Sequence, residues 1–235
     1  KVQAAKKIAL QYFVSGDYPN ARKSFLDVLA RNPDDPSALS GQKNSEVIIQ
    51  NIAQADNSIS NSDFQQALTY LNKVVEINPQ DNTIQKRTVD YRKISDYYNL
   101  NQALLKASYY PETLANYQLM FSILPNNNKL AAEQKHYADC QLFKERGLKY
   151  FVSENYQEAY NNLAKVLALN PTDEFISRNM TIATYALQLE KKAKEAYKLG
   201  AYAKSKDIYT KLSTVRLVKE NSANPWNFAK GQENS

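Results

Sequence analysis

Two hundred and thirty-five residues contain one cysteine, one histidine and one tryptophan. Cys140 alone excludes an internal disulfide, which permits a cytosolic home without demanding one. A single histidine, His136, gives no basis for a Ser-His-Asp arrangement. His136 and Cys140 stand four apart, a helical spacing that suits two metal ligands, but no second histidine or cysteine exists to extend the set. The pair reads as a surface histidine near a half-buried cysteine. Five scattered glycines make no phosphate-binding loop. With only eight prolines beside them, they argue against an all-β fold and against long disordered linkers. No apolar run approaches the roughly 18 residues a bilayer span needs. The chain opens on Lys1 rather than Met, so it reads as a processed protein or an excised piece, and a leader or anchor would leave no trace.

Charge of one sign is also not concentrated. The 30 basic and 24 acidic residues are interspersed, and the net charge of +6 reads as a solvated helical surface. There is no Lys/Arg block of the kind that tracks a nucleic-acid backbone or an anionic membrane. Asp34-Asp35 and Asp173-Glu174 read as helix starts, where acids complement the dipole, not as catalytic pairs. Asn179-Met180-Thr181 matches a glycosylation acceptor, a match expected once by chance in so asparagine-rich a chain. Nothing points to catalysis or to a cofactor.

What the chain does have is a period. Tyr18, Phe64, Tyr110, Tyr156 and Tyr202 stand 46 apart without slippage. A small column runs through Ala21, Ala67, Thr113, Ala159 and Ser205, and a bulky one through Phe25, Leu71, Tyr117, Leu163 and Tyr209. Pro33, Pro79, Pro125 and Pro171 form another, as do Asp35, Asp81, Asn127 and Asp173. A fixed step in this range signals a stacked array in which each unit buries surface only against its neighbours.

Each unit reads as two helices. In the second, Asp35 is an N-cap and Pro36 suits the first helical position. A long, gapped apolar pattern follows through Ala38, Val47, Ile48, Ile52, Ala55 and Ile59. Asn57 to Asp63 is polar and reads as a turn. Phe64, Ala67, Leu68, Leu71, Val74, Val75 and Ile77 then form an amphipathic stripe, ended by Asn78-Pro79. Ala38, Ile84, Leu130 and Ile176 form an apolar column early in the long helix; Ile59, Leu105, Phe151 and Tyr197 form one near its end. All these columns are assigned to the core, the small one letting the two helices approach closely.

These residues resemble the tetratricopeptide repeat. Gly16-Asp17-Tyr18, Ala21, Phe25 and Asn32-Pro33 follow its second-helix pattern, and Glu154-Asn155-Tyr156, Ala159, Leu163 and Asn170-Pro171 follow it again. Ala9 with Tyr12, and Gly147 with Tyr150, match its first-helix positions. The resemblance covers residues 1 to about 217. It departs in length, 46 residues against the usual 34, and the extra twelve look like added helix of about 18 Å. First helices of roughly 24 to 26 residues and second helices of about 14 are predicted. The expected fold is all-α: a right-handed α-solenoid of five helix-turn-helix units, at about 1–34, 35–80, 81–126, 127–172 and 173–219, followed by a tail, 220–235. Trp226 in that tail is expected to fold back and cap the last unit.

The resemblance implies protein binding, with first helices lining a concave groove. Carried onto this chain, the groove positions are Lys6, Leu10, Phe13, Tyr98, Leu105, Lys144, Leu148, Phe151, Lys194 and Tyr197. Joint replacement of Lys144 and Phe151 by Ala is expected to weaken partner binding without unfolding the array. A chaperone-tail clamp is not implied, since only Lys6 matches it and Leu10, Ala53, Ser95 and Asn99 occupy its other positions. The expected role is a non-enzymatic scaffold for a multiprotein assembly. The alternatives are a peptide-binding adaptor and the docking part of a larger enzyme. Array ends that expose stacking faces also predict self-association. Composition rich in Asn, Tyr and Lys leans towards a bacterial protein of the cell envelope.

Overall fold

A computed structural model describes residues 2–218. Among them are ten α-helices and no strand, with 82% of residues helical. The helices are α1 Val2–Val14, α2 Tyr18–Leu29, α3 Pro36–Ser60, α4 Phe64–Ile77, α5 Asn82–Lys106, α6 Tyr110–Ile123, α7 Asn128–Val152, α8 Tyr156–Leu169, α9 Glu174–Lys198 and α10 Tyr202–Leu212. The unequal arms expected from the period are present: α3, α5, α7 and α9 each have 25 residues, and α4, α6 and α8 each have 14. Every even-numbered helix begins on the aromatic column. The tail from residue 220, including Trp226, lies outside the described residues.

The chain divides into two compact units. The first holds the described residues up to Tyr98 together with Leu119–Leu130; the second holds Asn99–Gln118 and the described residues from Ala131 onward. In the first, α1 packs on α2, α2 on α3 and α3 on α4. In the second, α8 packs on α9 and α9 on α10.

Local chemistry explains the helix starts. Asp35 Oδ1 accepts from the amides of Ser37 and Ala38, with Pro36 in the first turn. Asp81 does the same for Thr83 and Ile84, and Asp173 caps with Ile176. Each cap satisfies amides that would otherwise lack an intrahelical partner. The turns into α2, α4, α6, α8 and α10 share one left-handed residue, at Gly16, Ser62, Ser108, Glu154 and Gly200.

The column Ala21, Ala67, Thr113, Ala159 and Ser205 is buried throughout. Its purpose is close approach, and Gly41 and Gly147 show how close: a Cβ on Gly41 would sit 2.3 Å from the Phe25 ring, and one on Gly147 2.7 Å from Leu163. Phe25, so clasped, joins Ala9, Ala21, Val28 and Ala38 in one core cluster, and a ring buried this fully contributes about 2–3 kcal/mol. The second unit has a larger cluster running from Leu105 and Tyr110 through Leu163 and Ile176 to Leu212.

Two local expectations fail. The columns assigned to the core are exposed in the fifth unit at Tyr197, Tyr202 and Tyr209, where no further unit among the described residues packs on them. The turn after α3 is also shorter than its composition implies: Asn57 to Ser60 is helical, so only Asn61 to Asp63 forms the turn. The last polar residues are held in place by bonds back along the helix, Ser60 Oγ to the Asp56 carbonyl and Asn61 Nδ2 to the Asn57 carbonyl. Ser58 and Ile59 are buried there, and packing outweighs the weak helix preference of Ser and Asn.

Candidate functional site

The ten groove positions do not share one fate. In the first unit, Lys6 is tied to Asp35 at 2.9 Å. Leu10 is exposed. Phe13 and Tyr98 are half-buried and meet the aromatic column edge-on, Phe13 against Tyr18 and Tyr98 against Phe64. In the second unit, Lys194 and Tyr197 are exposed, Lys194 bonding Glu190, and Leu148 is half-buried against the core. Leu105, Lys144 and Phe151 are buried and closed to a partner. Phe151 packs edge-on against Tyr156, and Lys144 donates to the Ser108 carbonyl at 2.8 Å. Lys144, 6% exposed, lies 5.8 Å from the Tyr110 ring centre and 5.3 Å from that of Phe175. Removing Lys144 and Phe151 together is therefore a core lesion, and it cannot report on binding alone.

The most elaborate polar chemistry lies at the repeat junctions. In the first unit the Tyr18 hydroxyl donates to Asp81 Oδ2 at 2.6 Å and accepts from Asn78 Nδ2 at 3.0 Å, while Asn78 Nδ2 also reaches the Phe13 carbonyl. In the second unit Tyr110 donates to Asp173 Oδ2 at 2.6 Å and accepts from Asn170 Nδ2 at 3.1 Å, and Asn170 reaches the Leu105 carbonyl. Ser108 adds its own hydroxyl to Asp173. The aspartate thus works twice, one oxygen capping a helix and the other holding a tyrosine 63 residues back. Burial and the neighbouring carboxylate raise the pKa of both tyrosines, so the phenols stay protonated donors.

Sequence reading missed these partnerships, although it found the aromatic and aspartate columns in them. The signal is a covariation within the chain. At Tyr18 and Tyr110 the residues 60 and 63 further on are Asn and Asp, whereas at Tyr156 they are Arg216 and Lys219. At Phe64 they are Leu124 and Asn127. With no hydroxyl to hold, Asn127 caps Leu130 through Oδ1 and sends Nδ2 to the Ile59 carbonyl, the counterpart of Phe13 and Leu105.

Exposed apolar residues recur at the ends of two first helices. Leu10-Gln11-Tyr12-Phe13-Val14 closes α1 and Leu148-Lys149-Tyr150-Phe151-Val152 closes α7, three repeat steps apart. Leu10, Tyr12 and Val14 are exposed in the first unit. Tyr150 and Val152 are exposed in the second, Val152 at 80%.

No family model matches the chain, and no curated protein or solved structure matches it.

The remaining candidates for chemistry resolve into structure. Cys140 is fully buried, not half-buried as expected, and burial pushes its thiol up to about 11, away from the reactive thiolate. His136 Nε2 is 2.9 Å from the Leu169 carbonyl and its ring meets Tyr137 edge-on. Among the described residues no three His, Cys, Asp or Glu side chains are grouped to hold a metal. No described helix is long and apolar enough to cross a membrane. Asn179, the glycosylation match, is buried, donating to the Phe175 carbonyl and accepting from the Val218 amide at 2.8 Å.

Proposed function

We propose that this chain is a non-enzymatic helical-repeat scaffold of tetratricopeptide type that holds protein partners in a larger assembly. The observation that carries this reading is the recurring apolar end of α1 and α7. Folding buries the aromatic and small columns of these repeats, yet it leaves Leu10, Tyr12 and Val14, and again Tyr150 and Val152, in water. Exposed apolar side chains that recur as a set at equivalent repeat positions favour a surface used for association over chance. Lys7 and Lys149 are exposed on the same two helices, which suits partners with apolar anchors and some acidic character.

A photo-crosslinking residue at Val14 or Val152 tests this in an extract of the native source. The expected result is discrete protein adducts at both positions and none at Asp27, an exposed polar site on α2. Equal labelling at all three positions would refute the docking role. Adducts with folded proteins fit the scaffold; adducts confined to short segments turn the reading towards a peptide adaptor.

A further inference from the structure

Tyr18 and Tyr110 belong to a series with a step of two repeats, and Tyr202 is its next member. The first two are 2% and 0% exposed, each held by an Asn-Pro-x-Asp turn: Asn78-Pro79-Gln80-Asp81 and Asn170-Pro171-Thr172-Asp173. Tyr202 is 62% exposed, and its hydroxyl has no hydrogen-bond partner among the described residues. Its neighbour Tyr197 meets it edge-on at 5.2 Å and is 63% exposed, while Ile59, Leu105 and Phe151 in the same column are buried.

The chain also carries one such turn without a tyrosine. Asn32-Pro33-Asp34-Asp35 has the same register. Asp35 caps α3 and takes the Lys6 ammonium, but no phenol reaches it, and Asn32 is exposed with no side-chain partner among the described residues. Lys6 does not bar a tyrosine from this place. Its counterpart three repeats on, Lys144, lies beside the filled site at Tyr110.

We propose that these two features are mates, the Tyr202 phenol of one copy seating in the Asn32–Asp35 turn of a second, so that chains stack head to tail. The repeat arithmetic selects this turn. Each tyrosine of the series sits in one helix pair and bonds the start of the pair two further on. From the fifth pair, two steps on reaches the second pair of the next copy, which opens on Asp35. Charge agrees with the docking: the exposed Lys198 and Lys204 flank the Tyr197 and Tyr202 pair in sequence, and the exposed Asp34 precedes Asp35. Such an interface joins two different surfaces, so it generates a ring or an open series of oligomers and not a two-fold dimer.

The test is sedimentation of the full 235-residue chain over a concentration series. Average mass should climb with concentration without a plateau at the dimer. Tyr202→Glu should leave a monomer with an unchanged melting temperature, because Tyr202 is exposed in the free chain. Tyr202→Phe, or Asn32→Leu with Asp35→Asn, should each weaken association about tenfold, the effect of one buried hydrogen bond. Combining all three changes recreates the Phe64, Leu124 and Asn127 set and should restore association. If Asp35→Asn impairs folding, Asn32→Leu alone retains the readout. Mixing Tyr202→Glu chains with Asn32→Leu/Asp35→Asn chains should give a one-to-one dimer at concentrations where each variant alone is monomeric. A monomer at every concentration, a plateau at the wild-type dimer, or association that survives Tyr202→Glu would each overturn the proposal.

Discussion

The Tyr18 junction and the Phe64 junction lie in the same compact unit and follow the same 46-residue plan, yet they are stabilised differently. At Tyr18 a phenol, a carboxylate and an amide form a closed network: Tyr18 bonds Asp81 and Asn78, and Asn78 reaches the Phe13 carbonyl. At Phe64 the phenol is gone, Leu124 stands where Asn78 stood, and Asn127 takes over the backbone carbonyl itself. Each set is self-consistent. The comparison shows that the polar residues of a repeat junction are chosen together, because a buried donor or acceptor left without its mate costs more than the bond it once made was worth.

The largest break in that comparison comes from Asp173→Ala. The change strips the cap from α9 and leaves the buried hydroxyls of Tyr110 and Ser108 without their acceptor, which should cost about 3–5 kcal/mol in a denaturant titration. Asn127→Ala, which removes a cap and one carbonyl bond but strands no phenol, should cost only about 1–2 kcal/mol. Equal losses would mean that the tyrosine network contributes nothing.

Exchanging the two chemistries is a sharper test. Phe64→Tyr places a hydroxyl opposite Leu124 and Asn127 and should destabilise by about 1–3 kcal/mol, as an unpaired buried polar group does. Adding Leu124→Asn and Asn127→Asp should recover most of that loss. A triple variant no more stable than Phe64→Tyr would show that the covariation has no energetic basis.

The left-handed turn residues offer a smaller contrast. Gly16 and Gly200 both have positive φ, at 82° and 74°, but a Cβ on Gly16 would sit 2.9 Å from Asp81 Oδ2 and one on Gly200 would meet nothing within 4 Å. Gly16→Ala should cost about 2 kcal/mol and Gly200→Ala about 1 kcal/mol, the latter from backbone preference alone. Gly16→Ser should be milder than Gly16→Ala, since Ser108 in the same column bonds its aspartate. Thermal melts of the three variants settle the order.

The smallest effect is alkaline. Tyr18 and Tyr110 have folded pKa values raised above the ordinary 10.0, first by burial and then by the bonded aspartates. A raised pKa means that the native state retains a proton the unfolded chain gives up. Their contribution is therefore complete below pH 10.0 and is lost as pH rises from there towards the folded pKa values. Unfolding free energy should decline over that range, and Tyr18→Phe with Tyr110→Phe should flatten the slope. An unchanged slope in the double variant would assign the alkaline loss to other groups.

Much of this molecule could be read from the chain alone. The 46-residue step, helix lengths of 25 and 14, caps at Asp35 and Asp173, and the buried small column all follow from local rules: proline and aspartate punctuate helices, and apolar periodicity marks the buried stripe. The groove list fared less well, because spacing on one helix does not say which neighbour covers it. Lys144 is charged and was placed at a surface, but the Ser108 carbonyl and the Tyr110 and Phe175 rings enclose it. Asn57 to Ser60 has turn composition, but burial of Ser58 and Ile59 holds it in the helix.

Local sequence therefore determined that there are repeats, where each helix starts, how long it runs and which face it buries. Those outcomes depend on residues within a few turns of one another. Tertiary structure decided which column meets which, the tyrosine at one repeat with the Asn-Pro-x-Asp turn 60 to 63 residues on, and hence which polar groups are satisfied among the described residues and which, like the side chains of Tyr202 and Asn32, are not. Hydrogen bonds between distant residues depend on how helices stack, and no pattern within a single repeat specifies that.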